Sequence, residues 1–405
     1  LATIHGSNWL WSIGVKMKVQ VVNFAEFPNN EEAPTLSPPE LAAAFARKSR
    51  TRDSLETIIE SVSHVPAEKR ADTILKFADY GHRSIMDMLI IPIDIHGVSM
   101  YAAARLLQAA KMAGAQESST RYITDEFTLL TREETDPYLN YSSMEIDFDN
   151  WKREALLVSQ KGTRQERNEV LDKIRYDLPL IATTSLGLTQ SARGWAECIT
   201  FLLSYPHEYQ YDECGKLATF LQDVIKKTCG PYPVKHSGFN GVVNAKYYES
   251  DKRLLNLRET AKDIGKTVSV DISMINTFAE IGRYKRKNRY DPFPQLFDEA
   301  VCSVYLRLPF AELRDLNRHR NRVYNNWVLD QTCRPNLGTL GSMNYRCSLS
   351  QLLYEIEIRT SEGAHQSYRK IMNEVKRQVF DLLGDNMKSF LEDNLFDNQG
   401  QEAEG

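Results

Sequence analysis

Apolar residues at Val19, Val21 and Val22, with Gln20 between them, predict a short half-buried strand just after Met17. Pro34, Pro38 and Pro39 then mark a turn, and an alanine-rich stretch beginning near Glu40 predicts a helix. A second helix is expected from about Asp53 to Val62, and a third from about Ala67 to Tyr80, where Ile74, Leu75 and Phe77 form the buried side. Gly81 follows as the expected C-terminal stop. Met88 to His96 is apolar and β-branched enough for a buried strand, with Pro92 pushing it to an edge and Gly97 breaking it. An alanine-rich helix from about Val98 to Met112 comes next.

An acidic, aromatic region follows Tyr122 to about Trp151 and reads as surface structure or a lid. Between about Asn168 and Ser204 two helical patterns are separated by Asp177-Leu178-Pro179. From Tyr205 to about Thr267 the chain is polar and carries Pro206, Pro231, Pro233, Gly238 and Gly241, so a junction between two halves is placed there. The second half repeats the plan. Val301 to Leu308 is strand-like, and Pro309 opens a helix at the favoured position. Leu349, Leu352, Leu353 and Ile356 mark an amphipathic helix ending near Arg359. Ile371, Val375, Val379, Leu382 and Leu383 mark the last helix, before a polar tail. The expected organisation is an N-terminal extension 1–16, a first half 17–235, a second half 236–395 and a disordered tail 396–405, in a helix-rich α+β class.

Composition narrows this picture. The 405 residues are 42% hydrophobic and 26% charged, as in an ordinary globular protein. Lys plus Arg number 50 against 54 Asp plus Glu, so no global field favours nucleic acid or an anionic membrane, and any anionic ligand must be held locally. The six cysteines show no CxxC pair or zinc spacing, which predicts no metal site and a reducing cytoplasm. No apolar run approaches the roughly 20 residues that span a bilayer. Leu1 to Val15 has an apolar patch at Trp9, Leu10 and Trp11 but no basic start, so it does not read as a signal peptide; Met17 reads as the natural start.

Candidate chemistry centres on Ala115-Gln116-Glu117-Ser118-Ser119-Thr120-Arg121-Tyr122. On an extended segment Glu117, Ser119 and Arg121 face the same side, a carboxylate, a hydroxyl and a guanidinium suited to a ligand with a phosphate and polar ring edges. A loop closed by a Glu117–Arg121 salt link is the competing reading. Gly81-His82-Arg83-Ser84 leaves His82 and Ser84 on a turn, as ligand contacts or as a hydrogen-bonded structural turn. Arg175 falls just before Leu178-Pro179, and Arg193 stands four residues before Glu197, where a surface i,i+4 pair is the alternative. The run Arg314-Asp315-Leu316-Asn317-Arg318-His319-Arg320-Asn321-Arg322 repels itself unless an anion or carboxylates sit among its guanidiniums; a solvated basic face competes.

These residues together resemble the flavin-dependent thymidylate synthases, in a fused tandem arrangement. The family's Gly-His-x-Ser/Thr turn is matched by Gly81-His82-Arg83-Ser84, and its Asn-Glu-x-Ser-x-Arg-Tyr loop by Gln116-Glu117-Ser118-Ser119-Thr120-Arg121-Tyr122. The Arg shortly before Leu-Pro is matched by Arg175, and Asn-Ala-Arg by Ser191-Ala192-Arg193. The matches keep family order from roughly Met17 to Leu203. The first half departs from the family in two places: Ala109-Ala110-Lys111 stands where Arg-His-Arg is expected, and Leu202 where a late Arg is expected. The second half has both, as Arg318-His319-Arg320 and Arg359, but lacks the Glu-x-Ser-x-Arg-Tyr loop, since Trp327 to Thr332 bears no likeness to it. It also lacks the Gly-His-x-Ser turn. Family sites draw residues from more than one subunit, so the two halves together retain one full set.

The resemblance implies methylation of uracil C5 in dUMP or a close uridine nucleotide. Methylenetetrahydrofolate would be the carbon donor, and FAD reduced by NADPH the hydride source. It gives Arg359 the polarisation of the base, places Ser119 near it, and assigns the phosphate to Arg121 and Arg175. His82, Ser84, Glu117, Ser191, Arg193, Arg318, His319 and Arg320 match flavin-side positions, with Arg318 and Glu117 also near the nucleotide. A homo-oligomer of two-domain chains is the expected assembly. One alternative is a relative that delivers a different one-carbon unit or acts on a modified pyrimidine nucleotide; the other, motivated by Ala109-Ala110 and Leu202, is a degenerate, non-catalytic nucleotide-binding or scaffold protein.

Overall fold

The computed structural model describes residues 17–22, 38–48, 50–65, 83–110, 113–120, 127–135, 140–159, 163–204, 213–235, 237–263, 267–273, 286, 293, 295–317, 324–329, 340–360 and 366–395. The third expected helix, at 67–80, lies outside them, as do the extension 1–16 and the tail 396–405. The fold is α+β, with two four-stranded sheets whose described pairings are all antiparallel. The chain divides into two compact units, one of Leu1–Leu171 with Leu178–Tyr248, the other of Asp172–Asp177 with Glu249–Gly405.

In the first unit the sheet runs β1 (Lys18–Val21), β2 (Ile90–Ser99), β4 (Thr183–Ser191), β3 (Gly114–Glu117). Helices α1 (Pro38–Lys48) and α2 (Leu55–Ser63) pack on each other through Ala43, Ala44 and Ile58. Ile91, Ile93 and Ile95 of β2 are each 2% exposed or less, and burying such side chains stabilises by about 1.5–3 kcal/mol apiece. Pro92 does not force β2 to an edge, because β2 pairs on both sides. Its carbonyl accepts from Val22 N–H at 3.0 Å, and in an antiparallel strand a residue's carbonyl and amide point the same way. The donor that proline lacks therefore faces β1 where that strand runs out, and the pairing to β4 is intact. Gly97 does not break the strand either. At φ 70° it forms a bulge between His96 and Val98, and β2 continues to Ser99.

Ser99 ends β2 and caps α3 (Met100–Ala109) by accepting from Ala102 N–H at 3.0 Å. Its own N–H and O–H donate to Glu213 at 2.7 and 2.5 Å. Within the described part of the region up to Trp151, α4 (Tyr141–Ser159) buries Trp151 completely between Phe127 and Phe148. After α5 (Arg164–Ile174), the second expected helical pattern divides into β4 and α6 (Ala192–Ser204). The polar junction is largely helical. In α7 (Glu213–Cys229), Cys214, Leu217, Ala218, Leu221 and Ile225 line the buried stripe, and α8 (Gly241–Asp263) follows.

In the second unit the sheet runs β5 (Val268–Ser273), β6 (Val301–Pro309), β8 (Leu340–Ser348), β7 (Tyr324–Leu329). Pro309 closes β6 rather than opening the helix, and α9 (Phe310–Asn317) begins one residue later. Then come α10 (Leu349–Thr360), α11 (Gln366–Leu383) and α12 (Asp385–Asn394), the last one helix more than the pattern suggested. The buried Arg286 guanidinium joins Glu357 at 2.5 Å and lies 3.9 Å from the Phe293 ring. The two sheets thus share one plan: an outer strand, an inner strand leading to a helix, an edge strand, and a second inner strand leading to a helix pair.

Candidate functional site

The shared plan gives the two copies a common frame. Ser191 pairs with Ile90 at one end of the first sheet, and Ser348 with Val301 at the same place in the second. Glu117 pairs with Leu186 and Trp327 with Met343, each five residues before those serines (191 − 186 and 348 − 343). Trp327 therefore stands where the first copy has Glu117. Leu202 and Arg359 likewise each lie eleven residues after their serine (202 − 191 and 359 − 348). Leu202 is 1% exposed inside α6, while Arg359 is carried in the last turn of α10.

Glu117 ends the short edge strand β3 and is half-buried, with Thr184 Oγ1 donating to it at 3.4 Å. Ser118 N–H continues the ladder to Ser185 O at 2.8 Å, which keeps the chain extended as it enters half-buried Ser119. Arg121 and Tyr122 lie outside the described residues. So do Gly81, His82, Lys111 and the triplet Arg318-His319-Arg320. Counted from the paired ends of β2 and β6, that triplet corresponds to Gln108-Ala109-Ala110, one residue earlier than the sequence comparison places it. Neither count gives the first copy an arginine there.

Three flavin-side candidates gather at one corner of the first unit. Ser191 Oγ accepts from Gly194 N–H at 3.1 Å at the start of α6, and Arg193 follows in its first turn. The 3-10 turn Arg83–Asp87, anchored by buried Ile85 and Met86, carries exposed Ser84 to the same corner. Asp87, which the sequence did not single out, joins them: its carboxylate takes Ser191 O–H at 3.5 Å and an Arg193 N–H at 3.2 Å. Arg193 also pairs with Glu197 at 3.3 Å, the i,i+4 contact that spacing allows. The nearby charge of Asp87, followed by that of Glu197, raises the proton affinity of the Arg193 guanidinium above its ordinary value.

Arg175 has a different setting. It opens a 3-10 turn, Arg175–Asp177, that belongs to the second unit, and its side chain is 6% exposed. Nη1 donates to Asp315 Oδ2 of α9 at 2.7 Å, and Tyr176 O–H donates to Glu312 Oε1 on the same helix at 2.6 Å. Burial works most strongly on this guanidinium and opposes its charge. The charge and hydrogen bond of Asp315, aided by Tyr176 and Asp172, outweigh burial and hold it firmly protonated. Nε and Nη2 have no hydrogen-bond partner among the described residues. Sequence order gave no hint of this pairing, since Arg175 and Asp315 are 140 residues apart.

Burial pushes the Cys198 and Cys302 thiols up to about 12 and Cys229 to about 11, so none of the three forms a thiolate near neutral pH. Among the described residues no group of His, Cys, Asp and Glu is placed to hold a metal ion, and no helix is long and apolar enough to cross a membrane.

Residues 33–227 match the model of a family described as thymidylate synthase complementing protein. No curated protein matches the chain. Among solved structures, a UMP/dUMP methylase, PolB from Streptomyces cacaoi bound with 5-Br dUMP, is similar over 55% of this chain and 94% of its own. The identity is 14% and the TM-score 0.35, too slight a likeness to argue from.

Proposed function

We propose, from the match of residues 33–227 to the thymidylate synthase complementing protein family, that the protein methylates C5 of the uracil in dUMP or a close uridine nucleotide. The observation that carries the reading is the division of groups between two copies of one sheet plan. Glu117 and Ser119 have no counterpart at Trp327 and Leu329, and Arg359 has none at Leu202. Decay without function would not be expected to leave complementary sets.

Arg121 and Arg175 hold the 5′-phosphate by charge-assisted hydrogen bonds. The Arg359 guanidinium lies against the uracil carbonyl edge and stabilises the negative charge that makes C5 nucleophilic. Ser119 fixes the orientation of the ring beside it. The corner of Ser84, Ser191 and half-exposed Arg193 fits the polar periphery of a flavin in its donor set, with His82, Arg318, His319 and Arg320 completing the contacts. Asp87 takes Nη1 and Glu197 takes Nε of Arg193 at 3.2 and 3.3 Å, so an anionic group of the cofactor would have to compete with these carboxylates or meet the guanidinium at Nη2. Reduced FAD, replenished by NADPH, would supply the hydride that completes a methyl group whose carbon would come from methylenetetrahydrofolate.

The test is incubation of the full chain with FAD, NADPH, methylenetetrahydrofolate labelled in its methylene carbon, and either dUMP or UMP. Label in the new methyl group on C5 of the product nucleotide is the expected result. Absence of labelled product from both nucleotides, with flavin bound, refutes the methylase reading and favours the binding protein.

A further inference from the structure

Arg175 is an unevenly satisfied guanidinium. It is 6% exposed, one terminal nitrogen is held by Asp315 at 2.7 Å, and both atoms of the opposite edge, Nε and Nη2, are buried with no hydrogen-bond partner among those residues. That edge carries two parallel N–H bonds with the spacing of two oxygens on a carboxylate or phosphate. Leaving charged donors buried and unbonded is costly, and an arrangement that tolerates this stands ready for an acceptor.

We propose that Asp315 is a positioning residue: it grips Arg175 through Nη1 and thereby presents the Nε–Nη2 edge as a two-pronged seat for an oxyanion, the phosphate of the nucleotide. Three observations support the assignment. Asp315 sits on α9, a short helix buried through Leu313 and Leu316, so its carboxylate is held by rigid structure rather than a loop. Tyr176 and Glu312 make a second bond between the same two segments at 2.6 Å, fixing the turn on which Arg175 rides. Asp315 also engages only the outer nitrogen, whereas a carboxylate competing for the seat would be expected to take the two-donor edge itself. The identity of the anion rests on the nucleotide reading above; the seat and its positioning residue do not.

The experiment measures two things on the full chain and its variants: thermal stabilisation by inorganic phosphate, and calorimetric affinity for dUMP and for deoxyuridine, which lacks the phosphate. Asp315→Ala is expected to weaken phosphate and dUMP about tenfold, the loss of roughly one charge-assisted hydrogen bond, with deoxyuridine unchanged. Asp315→Asn keeps an acceptor oxygen for Nη1 and is expected to retain binding within about threefold of the unaltered chain. Arg175→Lys keeps the charge but loses the fork, and is expected to fall with Asp315→Ala. If Asp315→Ala and Asp315→Asn both bind phosphate more tightly, Asp315 competes for the seat and the proposal is overturned. If phosphate fails to stabilise the unaltered chain, there is no seat. Stabilisation by phosphate in the expected variant order, without dUMP binding, leaves the seat standing and removes the nucleotide reading. Should Asp315→Ala fail to fold, Arg175→Lys and Asp315→Asn carry the same comparison.

Discussion

The same row of four residues crosses both sheets and meets opposite conditions. In the first unit the row is Gln20, Asp94, Gly187, Gln116, and in the second it is Ser269, Tyr305, Asn344, Asn326. The second is roofed by α8: Tyr305 packs with Leu254 and Val328, and buried Asn326 donates to Asp251 at 2.8 Å. The first stays partly open, with Gln116 and Gly187 exposed and Asp94 taking hydrogen bonds from Gln20 at 2.9 Å and from partly exposed His96 at 2.8 Å. One strand order thus supports a closed polar network and an open one, so topology does not decide which copy keeps accessible chemistry. The residue at each register position decides it.

That contrast is sharpest at Tyr305 and Asp94, which occupy the same register position. Tyr305→Ala is expected to destabilise by about 3–5 kcal/mol, because a buried aromatic leaves a cavity beside Leu254. Asp94→Ala, on the partly open face, is expected to fall within about 0.5–1 kcal/mol. Urea denaturation of the two variants measures both, and comparable losses would break the comparison.

The division of groups between copies gives a smaller effect. Arg318→Ala and Arg320→Ala are each expected to weaken FAD retention by about 1.5–3 kcal/mol, the worth of a hydrogen bond to a charged group. Lys111→Ala should leave retention unchanged. Flavin absorbance after gel filtration reads the difference, and loss of flavin from the Lys111 variant alone would reverse the assignment of the copies.

The smallest effect is expected at Gly187. A Cβ there meets nothing within 4 Å, so Gly187→Asn, which copies the Asn344 residue of the second sheet, should change stability by less than about 0.5 kcal/mol in either direction. A thermal melt that shifts by many degrees would mean that the face is covered.

The sequence carried part of this architecture. The β2 strand and the α10 helix are strongly patterned, and both stand where Ile91, Ile93 and Ile95 and then Leu349, Leu352, Leu353 and Ile356 place them. β4 was missed because only Leu186 and Leu188 interrupt its Thr, Ser and Gly residues, while the helical signal of α6 follows without a break. In α7 the apolar spacing was present, but the prolines and glycines around it drew the segment into a junction. At the candidate site, the motif loop and Ser191-Ala192-Arg193 were readable because their residues are local in sequence. Asp87 reaches Arg193 from 106 residues away, a long-range contact that no periodicity announces. The run Arg314-Asp315 did pose the right question, namely which carboxylates sit among the guanidiniums, and Asp315 turns out to serve an arginine from far outside the run.

One consequence follows from the way the chain is threaded. It leaves the first unit at Leu171, gives Asp172–Asp177 to the second, returns at Leu178, and departs again after Tyr248. A protein joined by a single crossing exchanges domains between copies simply by opening one hinge. Here opening at residue 248 would pull α9 away from the 172–177 segment and separate Arg175 from Asp315, so the opened chain loses a buried ion pair until the matching helix of another copy takes its place. A protease cut near residue 236 likewise would not yield two self-sufficient halves, because each fragment would keep a piece that belongs with the other.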